Sequence, residues 1–145
     1  MGLAIVIGAC GQEGDLPVDA ETPSQDPALT VAIETCRDAA RASSDVVGSV
    51  NDLLESVAAG SDEGQRELRR SIRAASDSVR RCNDFVSVDH PEVQACGRAA
   101  QTGFKAVDTI LRMLDAPTED IARAYEMEAQ FYLDQNIDAL GSCRT

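Results

Sequence analysis

From residue 28 onward, apolar residues recur along the chain at spacings of three and four. This spacing places them on one face of an α-helix, and the alternation typical of a β-strand is not found. Gly, Pro and polar residues divide the pattern into four segments. The first apolar face comprises Leu29, Ile33, Cys36, Ala40, Ser43, Val47, Val50, Leu54 and Val57.

The other three segments have shorter apolar faces of the same kind. The second comprises Leu68, Ile72, Ala75, Val79, Cys82 and Val86. The third comprises Val93, Cys96, Ala100, Gly103, Val107, Ile110 and Leu114, widened by Phe104 and Leu111. The fourth comprises Ile121, Tyr125, Ala129, Tyr132, Leu133, Leu140 and Cys143, and Asn136 is also expected to face inward. Core packing is the favoured role of the two Tyr and of Met127 on this helix.

Boundary residues support the same four helices. Gly60 is placed to follow the C-terminus of the first helix, and Asp62 can cap the second. Pro91 suits a first helical turn, and Thr118 can cap the last helix after the Pro117 break. Because the connections are short, neighbouring helices must be antiparallel. Residues 28–145 are therefore predicted to form an all-α, up-down-up-down four-helix bundle.

Composition and charge narrow the functional classes. The chain has no Trp, three Phe and two Tyr, which favours close-packed helices over an aromatic-rich ligand pocket. Its net charge is −12, so its surface repels phosphate backbones and anionic lipid headgroups. We therefore expect no nucleic-acid partner, and any membrane attachment must be covalent or apolar.

The opening run LAIVIGAC, residues 3–10, is too short to span a bilayer, which takes about 20 apolar residues. Its end, Ile7-Gly8-Ala9-Cys10, resembles the lipobox of bacterial lipoproteins, in which a lipid is attached to the cysteine and the peptide is cut before it. The resemblance implies lipidation of Cys10 and attachment to the bacterial cell membrane from the extracytoplasmic side. No Lys or Arg precedes Arg37, so the basic start of such a signal would lie upstream of Met1.

The residues after the cysteine agree with an anchored protein. Residues 11–27 contain three Pro and five acidic residues and almost no apolar ones, a composition typical of a disordered tether. We therefore assign residues 1–9 to a partial signal segment and residues 10–27 to the lipidated cysteine with its linker. The alternative is an N-terminal strand or disordered tag that contains a cysteine by chance.

The remaining four cysteines are predicted to form two disulfides at one end of the bundle. The position of each cysteine along the bundle axis can be counted at ~1.5 Å per residue from the turns near residues 62, 90 and 117. This count places Cys82 level with Cys96, and Cys36 level with Cys143. The first prediction is therefore Cys82–Cys96 with Cys36–Cys143, because bonded cysteines need Cα atoms within ~7 Å. Cys36–Cys82 with Cys96–Cys143 is the alternative, since the turn centres are set only to within a few residues.

A metal site or redox centre built from these thiols is the competing use of the cysteines. Zinc sites usually contain a pair of cysteines with two to four residues between them, and this chain has none. There is also a faint internal repeat, in which residues 36–55 align with residues 96–115 at an offset of 60. The repeat suggests a duplicated helical hairpin, with Cys82 and Cys143 at 46 and 47 residues after Cys36 and Cys96.

Candidate chemistry is sparse. His90 is interpreted as a capping residue rather than a ligand or base, and the acids Glu126, Glu128, Asp134 and Asp138 as a solvated helix face rather than a carboxylate site. The one local basic feature is the set Arg66, Arg69, Arg70 and Arg73, which share a helical face. It is expected either to pair with acids of neighbouring helices or to bind a protein or anionic envelope partner.

These observations predict a lipid-anchored extracytoplasmic protein that acts as a non-enzymatic binding or envelope-scaffold module and needs no cofactor. The second hypothesis is a thiol-based metal-binding or redox bundle. Oligomeric state is left open by the sequence.

Overall fold

The computed structural model describes residues 26–55 and 62–143. These residues form four α-helices, α1 (Pro27–Glu55), α2 (Asp62–Asn83), α3 (Pro91–Leu114) and α4 (Glu119–Ser142), and contain no β-strand. The all-α prediction is confirmed. Within this part of the chain, no helix combines the length and the apolar character that crossing a membrane requires.

Two of the predicted helix starts are confirmed in detail. His90 is the N-cap of α3, where its Nδ1 accepts a hydrogen bond from the Glu92 amide, and Pro91 occupies the first turn. Thr118 caps α4 through Oγ1, which accepts from the Ile121 amide at 3.4 Å. Gly60, expected to follow α1, lies outside the described residues, as do the opening run and Cys10.

The central pair of the bundle is α1 and α3. Arg37 on α1 bonds Glu92 on α3, and further along Ser43 Oγ donates to the Ala100 carbonyl at 2.8 Å. Because the sequence offset between these partners is nearly constant, the two helices run in the same direction. α2 packs mainly on α1, and α4 packs on α3, so α2 and α4 are the outer helices.

Each hairpin is closed by its own disulfide. Cys36 near the start of α1 bonds Cys82 near the end of α2, and Cys96 near the start of α3 bonds Cys143 at the end of α4. The Cα atoms are 4.7 Å apart in both bonds. The two helices of each hairpin are therefore antiparallel, and all four cysteines lie at one end of the bundle, as predicted.

The first predicted connectivity, Cys82–Cys96 with Cys36–Cys143, is wrong, and the alternative pairing is found. The height count was centred on residue 62, whereas the bonded cysteines 36 and 82 are centred on residue 59. Each residue of error in the assumed centre moves the facing residue by two. The error of three residues therefore moved the predicted partner level of Cys36 by six residues, from residue 82 to residue 88.

The second hairpin, α3 and α4, deviates from the predicted cysteine heights for a different reason. Cys96 lies 18 residues before Leu114, whereas Cys143 lies 24 residues after Glu119. The six additional residues correspond to about 9 Å of helical rise. Cys96 and Cys143 are nevertheless bonded, so the connection between α3 and α4 is not symmetric about its centre.

The buried side chains form two clusters, one at each end of the bundle. The disulfide-end cluster consists of Ala32, Ile33, Cys36, Ala39, Ala40, Val79, Cys82, Val93, Ala95, Cys96, Ala99, Ala100, Ala139 and Cys143. The open-end cluster consists of Val46, Val50, Leu68, Ala75, Val107, Ile110 and Ala129. Phe104 packs against both clusters and connects them.

A polar contact at the centre fixes the approach of three helices. Asn136 on α4 is buried as predicted, and its Nδ2 donates to the Ala99 carbonyl at 2.6 Å. A Cβ atom at Gly103 would lie 3.0 Å from this Nδ2 and 3.1 Å from the Cβ of Ser43. Every buried side-chain nitrogen and oxygen among the described residues has a hydrogen-bond partner. Gly103 therefore permits the close contact, and the polar groups specify its register.

Candidate functional site

The four predicted partner-binding residues form one continuous surface, which we call the arginine face: Arg66, Arg69, Arg70 and Arg73 of α2. At 3.6 residues per turn they lie within an arc of about 100°. All four side chains are exposed, and the buried residues of α2, among them Leu68 and Ala75, lie on the opposite side of the helix. The structure therefore places these four arginines together on the solvent-exposed side of α2.

The arginine face is only partly neutralised. Arg70 pairs with Glu67 at 2.8 Å, and Arg66 Nε donates to the Asp62 carbonyl at 3.2 Å. Arg69 and Arg73 form no ion pair with any residue that the structure describes. The expected pairing with acids of neighbouring helices is therefore wrong within the described residues, because the ion pairs of α2 are formed inside α2.

The surrounding charge makes this face distinctive. α2 contains six of the 13 Lys and Arg residues of the chain but only four of its 25 acidic residues. The remaining sequence therefore has 21 acids and seven bases, and α4 alone has six acids and one base. The arginine face is a basic surface on an acidic molecule, and a carboxylate or phosphate partner is electrostatically favoured there.

The four cysteines are bonded in pairs and buried. Thiolate ligation of a metal would require their reduction. Across residues 26–55 and 62–143, no group of three His, Cys, Asp or Glu side chains is arranged to hold a metal ion. The cysteines therefore act in this structure as cross-links between the helices of each hairpin.

A small cavity borders the Cys36–Cys82 bond. Its volume is about 170 Å³, and its walls also include Phe85, Val93 and Gly97. Gln94 closes the adjoining loop, since its Nε2 donates to the carbonyls of Val86 and Val88. A cavity of this size has room for only a small ligand, and the two cysteines in its lining are bonded to each other.

His90 and the acids of α4 have structural explanations. His90 is used as the α3 cap, because its Nδ1 accepts the hydrogen bond from the Glu92 amide. Glu126, Glu128, Asp134 and Asp138 are all exposed, and Asp134 accepts a hydrogen bond from Gln130 Nε2 at 2.9 Å. The interpretation of these acids as a solvated helix face is confirmed.

Sequence analysis missed an exposed apolar pair on α4. Met127, expected in the core, is 73% exposed, and Phe131 is 57% exposed. These residues are one turn apart and lie opposite the buried Ala129 and Asn136 of the same helix. Their helical position could have indicated this, because neither residue follows the spacing of the buried face of α4.

Comparison with known proteins gives no relative: no family model, curated protein or solved structure matches the chain. Two disulfides are compatible with an extracytoplasmic location, where such bonds persist. The arginine face is the surface with the clearest chemical character, and it is where a function is best sought.

Proposed function

We propose that this chain is a lipid-anchored extracytoplasmic protein that acts as a non-enzymatic binding or envelope-scaffold module. Its binding surface is the arginine face. The partner is a protein or envelope component that carries carboxylates or phosphates. The single observation that supports a binding role is the pair Arg69 and Arg73, which form no ion pair with any residue in 26–55 or 62–143 although the chain has a net charge of −12.

The physical mechanism has three parts. Acyl chains on Cys10 hold the protein at the membrane, and more than one chain is needed because a single chain binds only marginally. The acidic segment between Cys10 and α1 serves as the spacer between the membrane and the domain. The disulfides keep the small, alanine-rich hairpins closed outside the cell.

Binding at the arginine face follows from the properties of guanidinium. Arg is always charged and presents a planar set of donors that matches a carboxylate or phosphate. An isolated surface pair contributes little, but several adjacent arginines act together on a partner with repeated charges. The repulsion from the rest of the acidic molecule restricts such a partner to α2.

The anchoring part is tested by intact mass of the protein isolated from its own host. Cleavage before Cys10 and the added mass of a diacylglycerol and an acyl chain are expected, with partitioning into detergent. Globomycin should block the cleavage, Cys10→Ser should abolish the adduct, and Gln12→Ala, a neighbouring change, should leave it in place. An unmodified protein in the aqueous phase would contradict the anchoring proposal.

The binding part is tested by retention on heparin-agarose as a generic polyanion. The variant R66Q/R69Q/R73Q should elute at clearly lower salt than the wild type, because its three exposed charges are removed. The matched control R41Q/R98Q/R112Q loses the same charge from α1 and α3, and it should elute with the wild type. Equal loss of retention in both variants would show that net charge alone governs binding.

A further inference from the structure

We propose that the partner of the arginine face is a second copy of this chain, which presents the outer face of α4. We define the outer face of α4 by the exposed residues Asp120, Met127, Phe131, Asp134 and Asp138. The inference rests on the proposed function only in using the arginine face as a binding surface. It requires neither lipidation nor any other molecule.

The apolar centre of this outer face favours a protein partner. Met127 and Phe131 are adjacent on the helix surface and mostly exposed, on a helix that packs only on α3 to any large extent. Exposed apolar neighbours that point away from the core are typical of contact surfaces. A simple polyanion or phosphate would leave these two side chains in water.

The charges of the two faces are complementary. Asp120 and Asp138 form no ion pair among the described residues, and Asp134 is bonded only to Gln130. Arg69 and Arg73 are equally without a charged partner in that part of the chain. A guanidinium can pair with such a carboxylate and also lie flat against the ring of Phe131.

The spacing of the two faces also matches. In the arginine face, Arg66, Arg69 and Arg73 are spaced by three and four, and Met127, Phe131, Asp134 and Asp138 are spaced by four, three and four. The arginine row spans about 10 Å of helix, and the outer face of α4 from Asp120 to Asp138 spans about 27 Å. Rows with three-four spacing can stay in contact along two nearly parallel helices.

Docking within one molecule does not occur in the structure. α2 and α4 are the outer helices and share at most marginal contact. Because the two faces differ, contact between copies is head-to-tail, and a pair of copies keeps one free face of each kind for further copies. Association therefore continues into a chain or closes into a ring, and confinement of anchored copies to a membrane would raise their effective concentration.

Sedimentation velocity of the disulfide-intact full chain tests the proposal. In ~20 mM salt, where charges are poorly screened, the mean mass should rise with protein concentration up to about 1 mM, and ~0.5 M salt should reverse this. R66Q/R69Q/R73Q and D120N/D134N/D138N should each associate about tenfold more weakly. R41Q/R98Q/R112Q is the control and should associate as the wild type does, and circular dichroism checks that all variants are folded.

Mixing the two variants gives the decisive measurement. Each variant retains the face that the other lacks, so an equimolar mixture should form a one-to-one heterodimer that does not grow further. A wild type that stays monomeric throughout, or a mixture no larger than its components, would overturn the proposal. The wild type could be monomeric while R66Q/R69Q/R73Q still binds heparin more weakly than the wild type. In that case self-docking is contradicted and the proposed binding function stands.

Discussion

The two ends of the bundle are stabilised in different ways. Of the 14 buried residues in the disulfide-end cluster, seven are Ala and four are Cys, whereas five of the seven in the open-end cluster are Val, Leu or Ile. An alanine buries little apolar area, so close helix contact at the disulfide end yields limited hydrophobic stabilisation. The covalent bonds lie where apolar side chains are smallest, and the larger aliphatic residues lie where no bond is present.

The largest expected effect is removal of one disulfide. Cys36→Ala with Cys82→Ala should lower the free energy of unfolding by about 4 kcal/mol, because the unfolded chain regains the entropy of an open loop. Cys96→Ala with Cys143→Ala should cost about the same, since the bonds enclose similar lengths, 46 and 47 residues apart in sequence. Urea unfolding followed by circular dichroism measures both values.

The matched pair of variants serves as its own control, because each retains the other bond. Clearly unequal losses would show that the hairpins are not equivalent. Unchanged unfolding midpoints would contradict the role assigned to the bonds. Peptide mapping without reductant should recover the Cys36–Cys82 and Cys96–Cys143 peptides as linked pairs.

A cavity at the open end should have the next largest effect. Ile110→Ala should cost about 3 kcal/mol, as is typical for truncating a buried aliphatic side chain. Because no covalent bond holds this end, amide exchange should accelerate around Val50 and Val107, which pack in the same cluster. Ile33→Ala makes the same truncation beside the disulfides and should open that end less. Equal acceleration at both ends would contradict the contrast between them.

Substitution of Gly103, at the central contact, should have a smaller effect on the free energy of unfolding. The sign of the effect should differ from that at Gly48. Gly103→Ala places a Cβ atom 3.0 Å from Asn136 Nδ2, so it should destabilise the fold by about 1–3 kcal/mol. Gly48→Ala meets nothing within 4 Å and should stabilise the fold by about 0.5–1 kcal/mol, because alanine loses less backbone entropy in a helix. Thermal unfolding of both variants gives the comparison. The same sign in both would contradict the close contact at Gly103.

Local signals in the sequence predicted the helices well. The three-four spacing, the Pro91 start and the Thr118 cap each act through contacts within one or two turns, so a single sequence contains the information. The buried position of Asn136 was also predicted from its place on the α4 face and is confirmed. Fold class therefore followed from periodicity and capping chemistry alone.

Features that depend on the relation between helices were predicted less well. In α1 the buried face moves from Val47 to Val46, and Leu54 is exposed, because 3.6 residues per turn drift away from a seven-residue repeat. In α3 the residues Ala99 and Ala106 are buried beyond the single predicted stripe, since α3 packs on α1 and α4 at once. One sequence does not specify which helix occupies such a central position.

The disulfides show which sequence signal was the better guide. Counting heights from assumed turns gave the wrong partners, because small errors in turn position are doubled. The internal repeat pointed to the correct answer, since Cys36 and Cys96 are equivalent and their partners lie at nearly equal distances along the chain. Equivalent hairpins are expected to close in equivalent ways. The grouping of the arginine face could be predicted from helical spacing. That Arg69 and Arg73 form no ion pair with the described residues could not, because this depends on how α2 packs on its neighbours.

Closing each hairpin separately has a consequence for how the molecule can be divided. The only backbone link between the two cross-linked hairpins is the segment 84–90, between Asn83 and Pro91. A protease cut there would yield two fragments, each an intact covalent loop, held together solely by the α1–α3 seam and its neighbours. A cut between the two bonded cysteines of a hairpin would leave its pieces joined through the disulfide. Apart from that segment, the molecule is a non-covalent pairing of two disulfide-closed hairpins, and complete separation of the hairpins requires breaking one peptide bond.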